Sequence, residues 1–215
     1  SMKKINHITA LLFALTVLVG CQEKSLQSSI KDSQPAEQES KLDHYFENQL
    51  ASDEWKTLLN TDGFAKVKDQ IVDVYNITNQ SLWFKDSGLT TNGESIVYML
   101  QNTAGYGLDS MLFDHDSIFN MLASAKSEEQ KFNTELQLTA EYMKLATYLN
   151  RGYLSKSVFQ PIFEIDSLPV DLAEHLTDAV EKESIIESLH YLEPDLPEYK
   201  NLREALVNYT NNFPL

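Results

Sequence analysis

The strongest nucleophile type in this chain of 215 residues occurs once, as Cys21. A single thiol excludes an internal disulfide, a paired-cysteine metal site and a second, separate catalytic cysteine. Hydroxyls are plentiful, but no G-x-S-x-G elbow is present to activate one. Asp114-His115-Asp116 is the one dense run of metal-ligand types. Three consecutive side chains cannot converge on one ion from a helix or a strand, so a helix cap is the simpler expectation. Glu164 and Asp166, two apart near Pro161, have the residue types for acid–base work, with no base or cleft implied beside them. His44, His175 and His190 are scattered and read as surface positions. The aromatic residues Trp83, Phe84, Tyr106 and Phe113 can stack on sugar rings or fill a core, and core is the commoner use. Of these, Trp83, Phe84 and Tyr106 form the candidate binding surface. No catalytic residue, cofactor or metal is expected.

The elements that must position these residues begin with the export region. Lys3 and Lys4 precede an apolar run, Ile8 to Val19, too short to span a bilayer and of the right length for a secretory leader. Leu18-Val19-Gly20-Cys21 resembles the bacterial lipobox. The resemblance implies cleavage before Cys21, a lipid thioether on its sulfur and a membrane anchor. With Gln22 rather than aspartate following, it also implies a place on the outer membrane facing the periplasm. Residues 1–20 are thus read as a leader and 21–41, polar and poor in large apolar side chains, as a flexible tether.

With 17 basic and 32 acidic residues the chain carries −15. That charge argues against nucleic acid and anionic lipid as electrostatic partners. It names no partner of its own.

From residue 42 to 215 the pattern is helical, and the expected class is all-α: an irregular bundle around one long central helix. Ser127 and Gln130 have capping-box spacing, and Arg151-Gly152 closes the segment. Between them run two apolar stripes. One is Phe132, Leu136, Thr139, Met143 and Ala146; the other is Leu138, Tyr142, Leu145 and Leu149. Two stripes predict burial on two sides. Other helices are expected around Leu42–Leu59, from Phe64 to Tyr75, from Thr91 with Glu94 as its box partner, around Ile118–Ala123, over Val170–Val180 and Ser184–Leu192, and at Tyr199–Phe213. Asn79–Gly88 reads as an extended loop ending in a turn, and Val158–Pro169 as a packed connector broken by prolines. No sheet-building run of strands is visible.

Four signatures occur in order: Val74-Tyr75 with Ser81-Leu82-Trp83-Phe84 and Gly88-Leu89; Ala104 to Asp109; Glu135–Thr139 with Tyr142, Leu145, Leu149 and Arg151-Gly152; and Ser188 to Pro194 with Tyr199, Leu202, Arg203, Leu206 and Tyr209. The series resembles the helical scaffold domain of the large periplasmic murein L,D-transpeptidases. Those enzymes work through a cysteine–histidine pair in a separate catalytic domain, and no Ser-x-Gly-Cys motif is found here. The resemblance therefore implies a non-catalytic envelope lipoprotein that positions or binds near peptidoglycan or a separate catalytic protein. The alternatives are an N-terminal fragment of an active L,D-transpeptidase and a general protein-interaction module.

Overall fold

A computed structural model describes residues 40–109, 112–152 and 170–213. The leader, Cys21, the tether up to residue 39, Glu164, Asp166 and the expected connector lie outside the described residues. The fold is all-α. Helix α1 is Lys41–Leu50, followed by a 3-10 segment at Glu54–Asn60 and helix α2 at Lys68–Thr78. A minimal antiparallel hairpin, β1 Phe84–Lys85 with β2 Gly88–Leu89, pairs Phe84 with Leu89 and Lys85 with Gly88. Then come α3 Thr91–Gln101, a 3-10 turn Thr103–Tyr106, α4 His115–Ser124, α5 Glu128–Arg151, α6 Leu172–Glu181, α7 Ile185–Tyr191 and α8 Pro197–Asn212.

Helix α5 is the central one. Ser127 Oγ accepts from Gln130 N and the Gln130 side chain accepts from Ser127 N, closing the expected capping box. Gly152 ends the helix at φ +72°, a conformation that disfavours a Cβ, and its N–H bonds Tyr148 O. Every residue of both apolar stripes is buried. The reason is visible in the neighbours: α5 packs against α1, α2, α3, α4 and α7, while α6 closes over α2 and α7. Phe132 meets Phe46 edge-on at 4.9 Å, and Trp83 lies against Tyr142 at 6.2 Å.

Three expectations need correction at element ends. Helix α2 starts at Lys68, because Phe64–Val67 closes as a turn with Val67 N bonded to Phe64 O. The cap of α3 is Thr90, not Thr91: Thr90 is extended and its hydroxyl accepts from Gly93 N at 3.0 Å. The loop before α3 contains the small hairpin, turning at Asp86-Ser87. The expected last helix is α8, Pro197–Asn212. Leu202, Tyr209 and Phe213 are exposed, since the helix rests mainly on the 3-10 turn at Thr103–Tyr106.

Candidate functional site

The densest polar chemistry in the core is built around Glu135, two turns into α5 from its capped start. Its carboxylate is fully buried. Oε1 accepts from Leu82 N at 2.5 Å and from Tyr75 Oη at 3.1 Å; Oε2 accepts from Ser81 Oγ at 2.8 Å and from Trp83 N at 3.1 Å. The carbonyls of the same dipeptide are taken by α3's cap residue. Thr90 Oγ1 donates to Leu82 O and Thr90 N to Trp83 O, both at 2.9 Å. All four backbone polar groups of buried Leu82-Trp83 are therefore satisfied, two by a carboxylate and two by one threonine. Thr139, one turn beyond Glu135, accepts from Trp83 Nε1 at 2.9 Å and lies 2.8 Å from Tyr75 Oη.

This geometry explains why Ser-Leu-Trp-Phe is a unit. Ser81 binds the carboxylate and also accepts from Phe84 N at 3.2 Å, bending the chain into the hairpin. The hairpin is itself clamped. Lys131 Nζ donates to Lys85 O and Asp86 O, and the Asp86 carboxylate caps α1 by accepting from Leu42 N at 2.9 Å. Gly93 is required where α3 passes over the loop: a Cβ there would collide with the Trp83 carbonyl.

Burial raises the Glu135 carboxyl to about 7, against the four donors that favour its ionised form. Tyr75 is pushed well above its ordinary value by burial and by the neighbouring Glu135. Glu141 is a second buried carboxylate of α5, also raised by burial. Lys144 Nζ donates to its Oε1 at 2.5 Å and Gln137 Nε2 at 2.8 Å.

A second polar cluster joins α7 to α8. Glu193 accepts from Arg203 Nη1 at 3.0 and 3.1 Å, and the Arg203 guanidinium lies 4.3 Å from the centre of the Tyr106 ring. His190 Nε2 is 2.7 Å from Tyr106 Oη. Tyr199 is pushed up to about 12, by partial burial and then by Glu193. A cleft of about 390 Å³ opens beside these residues. A larger cleft, about 600 Å³, lies between α2, the last turn of α5 and the start of α6; exposed Lys66 and Arg151 and half-buried Lys144 stand on its rim with Asp73 and Asp171.

The sequence candidates are placed as follows. Trp83 and Phe84 are buried, the indole N–H of Trp83 being spent on Thr139, so neither presents a ring for stacking. Tyr106 is half-buried in the α7–α8 cluster, and Phe113 is core. Trp83 and Tyr106 thus belong to two different clusters. Asp114 caps α4, accepting from Ser117 N, as expected of a cap. His115 stacks on Phe113, and its Nε2 has no hydrogen-bond partner among the described residues. Of the histidines read as surface positions, His44 is exposed, but His175 is half-buried with Nε2 3.0 Å from Ser188 O, and exposed His190 is engaged by Tyr106. Among the described residues no group of three or more His, Cys, Asp or Glu could hold a metal ion, and no helix is long and apolar enough to cross a membrane. Glu135 was missed as a central residue. Its signal was an acidic side chain between Phe132 and Leu136 on a helix apolar on two sides.

A helical body with one long buried helix, an acid-clamped Leu-Trp loop and a C-terminal helix clasped to a Gly-rich turn defines an all-α domain without an evident catalytic constellation among its described residues. Residues 69–206, more than half of the chain, match the family described as Scaffold domain. The chain belongs to that family, in agreement with the L,D-transpeptidase scaffold that its motifs resemble. No curated protein and no solved structure matches it.

Proposed function

We propose that this chain is a non-catalytic scaffold of the bacterial cell envelope, held to the outer membrane by a lipid on Cys21 and stationed against peptidoglycan. Membership of the Scaffold domain family is the observation that carries this reading. The use of the buried polar groups agrees with it. Glu135, Thr139, Thr90 and Lys131 are each committed to backbone or core partners, so they hold the domain's shape rather than face a substrate. Binding is assigned to the cleft between α2 and α5. On a chain of −15, the exposed cations Lys66 and Arg151 stand on its rim, with Asp73 and Asp171 beside them and Lys144 held by Glu141, and the two suit a carboxylate of a peptidoglycan stem peptide.

Isolated sacculi test this directly. The full protein should co-sediment with sacculi, and Lys66→Glu with Arg151→Glu should lower the bound fraction several-fold while leaving the melting temperature unchanged. Equal recovery of wild type and double variant would remove the cleft from the proposal. No sedimentation with sacculi at all would leave partner binding as the role to pursue.

A further inference from the structure

The cleft between α2 and the end of α5 carries both signs of charge on its rim. Lys66 precedes α2 and Arg151 ends α5, while Asp73 lies in the second turn of α2 and Asp171 caps α6. All four are exposed. Among the described residues, none of the four is joined to another charged side chain in an ion pair. Lys144, the other cation at the cleft, is already matched by Glu141 at 2.5 Å. Asp171 is held in place, its Oδ1 accepting from Ala173 N at 2.9 Å and Glu174 N at 3.2 Å. Buried Val67 and Leu172 line the same cleft and offer apolar surface to a short carbon chain.

We propose that this cleft selects a zwitterionic group, an ammonium beside a carboxylate as at the free end of an amino acid, over a plain carboxylate. The inference rests on carboxylate binding at Lys66 and Arg151, as proposed above, and adds the part played by Asp73 and Asp171. Local charge is the first argument. Two acids on the rim repel the anion that two cations attract, so a plain carboxylate gains little net attraction. A ligand of both signs sets its carboxylate toward Lys66 and Arg151 and its ammonium toward the acids, and the acids then act against ligands that lack the ammonium. Charge at long range is the second argument. At −15 the chain repels an anion on approach, whereas a zwitterion has no net charge to be repelled. A plain cation is drawn toward the chain but meets Lys66 and Arg151 in the cleft.

Amide NMR titrations of the isotope-labelled full chain in detergent, at neutral pH, read the selection with three probes of one carbon skeleton: 2-aminobutyrate, butyrate and butylamine. 2-Aminobutyrate should shift the amides of residues 66–70 and 170–172, with a dissociation constant in the millimolar range. It should bind about threefold more tightly than butyrate, the worth of one exposed ion pair, and more tightly than butylamine. Asp73→Asn carries the decision: it should weaken 2-aminobutyrate and strengthen butyrate, opposite changes that a mere alteration of the cleft's shape would not give. Lys66→Gln with Arg151→Gln should weaken both. Butyrate binding as tightly as 2-aminobutyrate would overturn the selection and leave the carboxylate reading in place. So would Asp73→Asn moving both probes the same way, or neither. No shift from either probe would remove the carboxylate reading, and the selection with it.

Discussion

Glu135 ties α2 and the Ser81–Trp83 loop to α5 with one side chain, and the consequences are measurable. Its carboxyl is raised from the ordinary 4.5 to about 7, so the native state binds this proton more tightly than the unfolded chain between those values. Stability from this group is complete below pH 4.5 and is lost as pH rises through about 7, a total of about 3 kcal/mol. Melting temperature should therefore fall between pH 5 and pH 8, and Glu135→Gln should flatten that slope. If the variant keeps the full slope, other groups titrate it. Glu135→Leu leaves the Leu82 and Trp83 N–H groups buried without an acceptor, and urea melts should show a loss of about 3–5 kcal/mol. Gly93→Ala drives a methyl into the Trp83 carbonyl, against backbone that Glu135 and Thr90 hold from both sides. A loss of about 2–3 kcal/mol is expected by the same melts.

At the scale of the element, α5 is buried on both of its stripes, so truncation on either should be costly. Leu136→Ala and Leu145→Ala should each lose about 2–5 kcal/mol in denaturant melts. An exposed stripe would instead keep its variant within about 0.5 kcal/mol of wild type. Ser127→Ala removes one arm of the capping box and should cost about 1 kcal/mol. Helix α8 behaves differently because its hold is polar and local. Arg203→Ala removes both the Glu193 bond and the contact with the Tyr106 ring, leaving Glu193, which is nearly buried, without its cation. Hydrogen exchange should quicken along Pro197–Asn212 in that variant while protection in α5 stays unchanged.

For the whole molecule, the proposed anchor and the proposed lack of chemistry separate cleanly. Cys21→Ser should release the protein from membranes and leave the leader uncut, as read by fractionation and mass. The purified protein should form no covalent adduct with a carbapenem, since its one thiol is assigned to lipid. An adduct seen by mass spectrometry would show an acylated nucleophile and overturn the non-catalytic reading.

The amino-acid sequence alone determined the all-α class, the capped central helix with both its stripes, and the order of motifs that places the chain in the Scaffold domain family. Each of these is written in local spacing: Ser127 to Gln130, Leu138 to Leu145, Gly152 after Arg151. Only the tertiary structure decided what those residues touch. Nothing in the spacing of Glu135 announces that it will take the N–H groups of Leu82 and Trp83, more than 50 positions earlier, because that bond depends on how α2 and the hairpin loop fold back onto α5. The same step turned Trp83 and Phe84 from candidate stacking rings into core. It also left Leu202, Tyr209 and Phe213 outside, although their period matched that of buried helices. Periodicity states which side chains share a face. Whether that face is covered depends on the contact area of its neighbours, and α8 rests mainly on one short turn.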